Sequence, residues 1–485
     1  MKKIFLIILP VLVVLASCEK QLEEKPKSIA AELFYNTPAE VEAGLNAIYE
    51  PVRNGSSLGA LYPIQLEIYT EYMYGRGSHA PLNTYTGLDN TNITRVGDIW
   101  AIFYRAIRNA NIVIQRIPEA GEVSDDAKKR YLAEVKFMRA LWYFHLVRNW
   151  AGVPLRTEAN LDSINLKRST QQEVYDFIVS DLITATTDLP ENPRLIGAPS
   201  KWSAKTVLAD VYLNLSKYPE ARKEALDVIQ SNKFSLVSVT TANDFEKIFG
   251  PDVNNSTEEI FYLKFSNKVA GQGFQYPAYE HYPNSGYYPP NGFYTLYSDS
   301  EKNPFSKNWD KNDLRYAYNW YSQTFGLGAT TILGKKFSDK AATTTSFAGN
   351  DYPMYRYADL LLFYAEAEAR VSGVATADAL EKLNMVHRRA YGKTPTVADP
   401  LTDIKLTDVP SVNAFIARVV QERAYENINE GKHWLDLKRL GIAKQTILAM
   451  KGITVADKHL LWPIPTNEYN YNTAINPATD QNPGY

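Results

Sequence analysis

Cysteine is nearly absent from this chain: 485 residues contain one, Cys18. No internal disulfide can form, so a buried core must hold the fold, and the length suffices for one. Histidine is also scarce, with six scattered copies. None forms a His-Glu-x-x-His zinc motif, and the lone Glu-x-x-His, from Glu430 to His433, lacks the second pair that a di-iron bundle needs. Nucleophile-elbow and dinucleotide glycine motifs are missing. Residues 328–336 resemble a phosphate loop only superficially. Five residues separate Gly328 from Gly334 where four are required, and Lys336 stands where a hydroxyl would hold magnesium. The Asp-rich stretch 299–313 lacks an ordered calcium-ligand pattern. With a net charge of −2 and no basic cluster, the chain offers no general field for nucleic acid. The sequence thus implies no cofactor, no metal and no catalytic constellation.

Long apolar runs are missing too, except at the start. Lys2 and Lys3 precede an apolar stretch over 4–15, interrupted by Pro10 and too short to span a bilayer. The expectation is a signal peptide over 1–17. Leu15-Ala16-Ser17-Cys18 resembles a bacterial lipobox, which would make Cys18 the lipidated first residue of the mature chain. Residues 18–30 are charged and aperiodic, as a flexible tether would be. The pair Glu23-Glu24 is similar to a surface-export signal. The remaining residues, 31–485, would form the folded domain.

Most of that domain reads as α-helix. Thr37-Pro38-Ala39-Glu40 and Thr170-Gln171-Gln172-Glu173 are capping boxes, followed by apolar residues at helical spacing. Further helices are expected over 98–117, 131–150, 200–215 and 218–230, the last two with the offsets of a tetratricopeptide-like pair. Another is expected to open around 353–362. Trp100, Trp142, Trp202 and Trp434 fall on helical faces and are expected in the core. Helical scaffold is therefore assigned to about 31–235 and 353–485, and a loop-rich, ligand-binding insertion to about 236–352.

What the sequence has in excess is aromatic side chains, with 33 Tyr and 8 Trp. Between 271 and 325, sixteen of 55 residues are aromatic and no helical period survives. A sugar ring has an apolar face and a hydroxyl rim, so flat side chains with hydrogen-bonding tips suit it, displayed on loops over a rigid platform. Candidate stacking surfaces are Tyr282, Tyr287, Tyr288, Trp309, Trp320 and Tyr321, with Asn284, Asn291, Asp310 and Arg76 as rim contacts. Acidic residues such as Glu280, Asp299 and Asp310 are present, but a glycosidase needs two at fixed separation, which sequence cannot place.

Residues 421–441 read Gln-Glu-Arg-Ala-Tyr-Glu-Asn-Ile-Asn-Glu-Gly-Lys-His-Trp-Leu-Asp-Leu-Lys-Arg-Leu-Gly. Glu422, Glu426 and Glu430 share a helical face and require interleaved cations, with Arg423, Lys438 and Arg439 at hand. Gly431 is expected to divide two helices. This wording resembles the SusD/RagB family signature, matched at Glu422, Arg423, Glu426, Glu430, Gly431, Trp434, Asp436, Lys438, Arg439 and Gly441, with His433 where the family usually has Arg. Trp100, Tyr104, Asn111, then Glu134, Phe137, Arg139, then Arg356-Tyr357-Ala358 and Leu361 to Ala367, and the terminal Gln481-Asn482-Pro483-Gly484-Tyr485 are similar to the family as well. His387 again replaces a common Arg. The resemblance implies a mainly α-helical, lipid-anchored outer-membrane protein. It would bind oligosaccharide at the cell surface and pass it to a SusC-like TonB-dependent transporter without catalysis. It also brings the loop after the first helices near the middle loops, adding Tyr74 and Tyr85 to the candidates. A peptide- or other nutrient-binding role and a glycoside hydrolase are the alternatives.

Overall fold

The computed structural model describes residues 34–485 except 289–291, 343 and 345–347. The expected leader and tether, Cys18 and Asn291 lie outside the described residues. Within them the fold is mainly α-helical, and no described helix is long and apolar enough to cross a membrane.

The scaffold is a succession of packed helices. These are α1 (Pro38–Tyr49), α2 (Leu61–Ile68), α3 (Asn90–Arg116), α4 (Asp125–Trp150), α5 (Gln171–Asp188), α6 (Lys201–Asn214) and α7 (Tyr218–Gln230). Both capping boxes form: the Thr37 hydroxyl accepts the Glu40 N–H at 3.3 Å while the Glu40 carboxylate accepts the Thr37 N–H at 2.9 Å, and Thr170 with Glu173 repeats the pattern. Helices α3 and α4 begin earlier than apolar spacing alone indicates, because Asp89 and Ser124 cap them. From α3 to α7 each helix packs on the next, and α8 (Tyr357–Ser372) closes the row against α7. Lengths of 27, 26, 18, 14 and 13 residues over α3 to α7 repeat no fixed unit. On α8 then lie α9 (Ala377–Ala390) and α10 (Val412–Glu426), and α11 (His433–Arg439) follows Gly431. Trp142 and Trp434 are almost fully buried, and Trp100 and Trp202 are buried as well.

Residues 352–356 depart from the expected helix start. Tyr352–Arg356 is a strand, β6, paired antiparallel with β2 (Glu259–Leu263), and the helix starts one residue later, at Tyr357. Every residue of β6 is buried, which hides the period-two alternation that marks a half-exposed strand. The second sheet has the order β1-β3-β5-β4, built from Tyr74–Gly75, Leu296–Asp299, Thr331–Gly334 and Trp320–Ser322. The aromatic stretch 271–325 is therefore not loop throughout: it holds two of these strands and the short helices Pro304–Asn308 and Leu314–Asn319.

Helix α10 meets this insertion through a buried ion lattice. Glu422, Glu426 and Glu430 are all buried, but most of the cations that serve them are not Arg423, Lys438 or Arg439 and come from distant parts of the chain. Glu426 takes Arg356 and Arg389, each at 2.6 Å, and Arg315 at 3.1 Å. Glu422 takes Arg315 at 2.7 Å and His387 at 3.0 Å, and Glu430 takes Lys336 at 2.5 Å and Arg356 at 2.7 Å. Arg423 and Arg439 instead bind Asp436 at 2.7 and 2.9 Å, while Lys438 donates to the Arg148 carbonyl at 2.7 Å. Most of these cations are carried by β6, α9 and the insertion, against which the three glutamates pack, while the neighbours Lys432 and Arg418 add contacts of 2.8 Å to Glu430 and 3.5 Å to Glu422. The turn between α10 and α11 needs Gly431: its φ is +66°, and a Cβ would sit 2.9 Å from the Pro63 Cα. Its N–H donates to the buried Glu67 carboxylate at 2.7 Å.

Candidate functional site

The small sheet positions an aromatic shelf. The Arg76 N–H, just beyond β1, donates to the Thr295 carbonyl at 3.0 Å. The two arms of the loop leading to Thr295 are tied together by Phe293 N–H to Ala278 O at 2.6 Å and Thr295 N–H to Tyr279 O at 2.7 Å. This places Tyr282, Tyr294 and Phe325 together, with centroids 4.8, 5.3 and 5.5 Å apart pairwise. The Arg76 guanidinium lies 4.0 Å from the Tyr294 centroid and 5.7 Å from that of Phe325, and it donates to the Tyr294 carbonyl at 3.3 Å. Tyr294 sits at φ +38°, a conformation a bulky residue adopts only when its surroundings impose it. All four side chains are half-buried, so part of each remains open to solvent.

A second pair of rings adjoins the first. Tyr287 and Tyr321 lie 4.8 Å apart, and the Tyr321 hydroxyl accepts the Tyr282 N–H at 2.8 Å, linking the two groups. Partial burial pushes the Tyr321 hydroxyl up to about 12. Beneath them His281 stacks on Tyr288 at 5.0 Å with its plane 2° away, and burial brings its pKa down to about 3. Lys335 holds its ammonium 5.2 Å from the Tyr287 centroid. Behind the shelf Glu280 is fully buried, and burial, then the neighbouring Glu67, raise its pKa well above the carboxylate range. Its carboxyl also explains Gly334 on β5, where a Cβ would stand 2.1 Å from a Glu280 oxygen.

Beside Tyr294 opens a cleft of ≈ 490 Å³, walled by Arg76, His79, Arg95, Tyr279 and Phe293. No described Asp or Glu lines it. The arrangement suits binding: flat rings with hydroxyl tips, and fixed cations beside them.

The wider chain has matches among known proteins. Residues 20–213 match a family described as starch-binding and associating with the outer membrane, and residues 264–485 match the SusD family. The chain belongs to the SusD/RagB family. SusD-like protein P25 of Formosa agariphila is 26% identical over 533 residues, covering 97% of each chain. Among solved structures, a SusD homolog from Bacteroides thetaiotaomicron shares 22% identity and a TM-score of 0.80 over 94% of this chain and 98% of its own. A laminarin-binding SusD-like protein shares 21% identity and a TM-score of 0.73 over 93% of this chain and 100% of its own. The SusD family thus accounts for the helical fold and for an association with the outer membrane.

Within this SusD-family fold the residues singled out from sequence separate into groups. Arg76, Tyr282, Tyr287 and Tyr321 meet at the shelf, and Asn284 is exposed on the turn between Tyr282 and Tyr287, at φ +61°. Four expected stacking surfaces are instead buried. Trp309 stacks on Tyr425 at 4.4 Å and donates to Asp313 at 2.9 Å, and Trp320 faces inward from β4 while Tyr321 faces the opposite way. Tyr288 covers His281, and the Tyr85 hydroxyl donates to the Tyr69 carbonyl in the core. Asp310 lies with Trp309 and accepts the Tyr391 hydroxyl at 3.0 Å. Tyr74 is engaged by Tyr297 at 5.3 Å and by the Asn303 amide at 3.0 Å. Sequence reasoning missed Tyr294, Phe325 and Phe293. The one available signal was their membership of the same aromatic stretch. The two histidines standing for family arginines each keep a carboxylate partner, His387 with Glu422 at 3.0 Å and His433 with Glu71 at 2.8 Å.

Proposed function

We propose that this chain is a cell-surface glycan-binding lipoprotein, anchored through Cys18, that hands oligosaccharide to a SusC-like TonB-dependent transporter and performs no catalysis. The observation that carries the reading is the shelf of Tyr282, Tyr294 and Phe325 capped by Arg76, which offers a sugar apolar faces and a donor at the rim. The laminarin-binding relative supports the ligand class.

Calorimetry across a panel of oligosaccharides tests it. Burying a ring face contributes about 1.5 kcal/mol, so replacing Tyr282 and Tyr294 together by Ala should weaken the best ligand about a hundredfold. Heat with peptides and none with any glycan would overturn the ligand class. Release of reducing ends from a bound glycan would overturn the absence of catalysis.

A further inference from the structure

The buried guanidiniums of this fold are paired with carboxylates. Arg139, Arg315, Arg356 and Arg389 all have acidic partners within 2.7 Å. Arg76 and Arg95, which share the cleft beside the ring shelf, have no ion pair among the described residues. Neutral acceptors hold them in place. Arg95 donates to the Ser78 hydroxyl at 2.7 Å, the Ser78 carbonyl at 3.4 Å and the Asn92 side chain at 2.9 Å, while Arg76 donates to the Tyr294 carbonyl. Each guanidinium has five N–H donors, so both keep donors for a ligand. Asp89, the acidic residue that acts on Arg95, accepts the backbone and side-chain N–H groups of Asn92 on its Oδ1. His79 lines the same cleft. It is 4% exposed, and its Nδ1 has no hydrogen-bond partner. A buried polar atom without a partner is costly unless a ligand or water satisfies it.

We propose that this cleft takes an anionic substituent of the glycan, a carboxylate or a sulfate ester, with Arg95 and Arg76 as its cationic contacts and His79 as a neutral one. The ring shelf would hold the sugar face while the neighbouring cleft selects for charge. The inference rests on the glycan reading above, and it narrows the substrate to acidic polysaccharides against a chain whose own net charge is −2. Planar guanidiniums suit both oxyanions because parallel N–H donors meet two oxygens at once.

The test is calorimetry on the full chain in detergent, with two matched pairs of probes. One pair is an oligogalacturonate and its neutral methyl ester, and the other a sulfated galactan oligosaccharide and its desulfated form. Charge-assisted hydrogen bonds of this kind imply a charged-over-neutral preference of about tenfold or more in at least one pair, shrinking as salt is raised. Whichever pair shows it identifies the oxyanion. Arg95→Gln should cut that ratio several-fold, with Arg76 keeping the remainder, and Arg95→Lys, which keeps the charge but not the parallel N–H donors, should fall between the two. A merely structural role would lower both affinities and leave the ratio intact. Equal affinity within both pairs, or a ratio unchanged in Arg95→Gln, would overturn the anion site and leave the glycan reading standing. Absence of heat with all four probes, while a neutral glycan of the wider panel binds, would likewise overturn the anion site alone.

Discussion

Replacing Glu426 by Gln should reveal how much the fold depends on its buried ion lattice. The Glu426 carboxylate serves three guanidiniums, those of Arg356, Arg389 and Arg315, and all four side chains are at most 2% exposed. Burial alone would push this carboxyl up, but Arg389, Arg356 and Arg315 hold it well below the usual range. Gln keeps the volume and removes the charge, leaving the guanidiniums short of a counter-ion in a dry interior. Removing one partner of a buried pair typically costs about 3–5 kcal/mol. At about 2.1 cal/mol/K per residue, a chain of 485 residues has a melting entropy of about 1 kcal/mol/K. The melting temperature should therefore fall by about 3–5 °C, read by scanning calorimetry at neutral pH. The double variant Glu426→Gln with Arg389→Met should lose less than the sum of the two single losses, because the contact between the two is removed only once, even though Arg389→Met also takes a partner from the buried Glu258 at 2.5 Å. A single variant melting within about 1 °C of the parent, or a double variant whose losses simply add, would refute the reasoning.

Three further outcomes are expected. Gly431→Ala must place a side chain at φ +66° and against Pro63, so the conformation alone should cost about 1–2 kcal/mol, measured as a lower urea midpoint with an unchanged slope. Stability should also fall on acidification from pH 4.5 towards 2. Against burial, Arg356 and Lys336 bring Glu430 down to about 2, and Arg423 and Arg439 bring Asp436 to about 2. Depressed carboxyls contribute stability above their unfolded values and lose it as pH drops through the folded ones. On the alkaline side the sign reverses: burial raises Glu67 from 4.5 to about 7, so its cost grows over that interval. His433, favoured in its charged form by Glu71 despite burial, loses its contribution as pH rises above 6.5 and through its raised folded value. A pH series of melts should thus fall steeply below about 4.5, and a melting temperature unchanged between about pH 4.5 and 2.5 would contradict the assignment.

The scaffold was legible because helices announce themselves locally. The boxes at Thr37 and Thr170 and the apolar spacing of α3 to α7 needed no tertiary information. The existence of a lattice around Glu422, Glu426 and Glu430 was legible for the same reason, since like charges at that spacing cannot be left unpaired. Its partners were not, because Arg315, Arg356 and Arg389 arrive from other elements. The shelf was half legible. Composition pointed to the right stretch, and Tyr282, Tyr287 and Tyr321 reach the surface. Aromatic content cannot distinguish Trp320 from Tyr321, though, because the two differ only in which side of a three-residue strand they face. Tyr294 and Phe325 joined the site through loop closure and β-pairing, which leave no periodic trace in the sequence.

The most direct measurement is a crystal structure of the chain with an oligosaccharide that it binds in solution. Density is expected for a sugar ring lying along Tyr282, Tyr294 and Phe325, with Arg76 at its edge. Density only elsewhere, with these rings packed as they are and unoccupied, would contradict it.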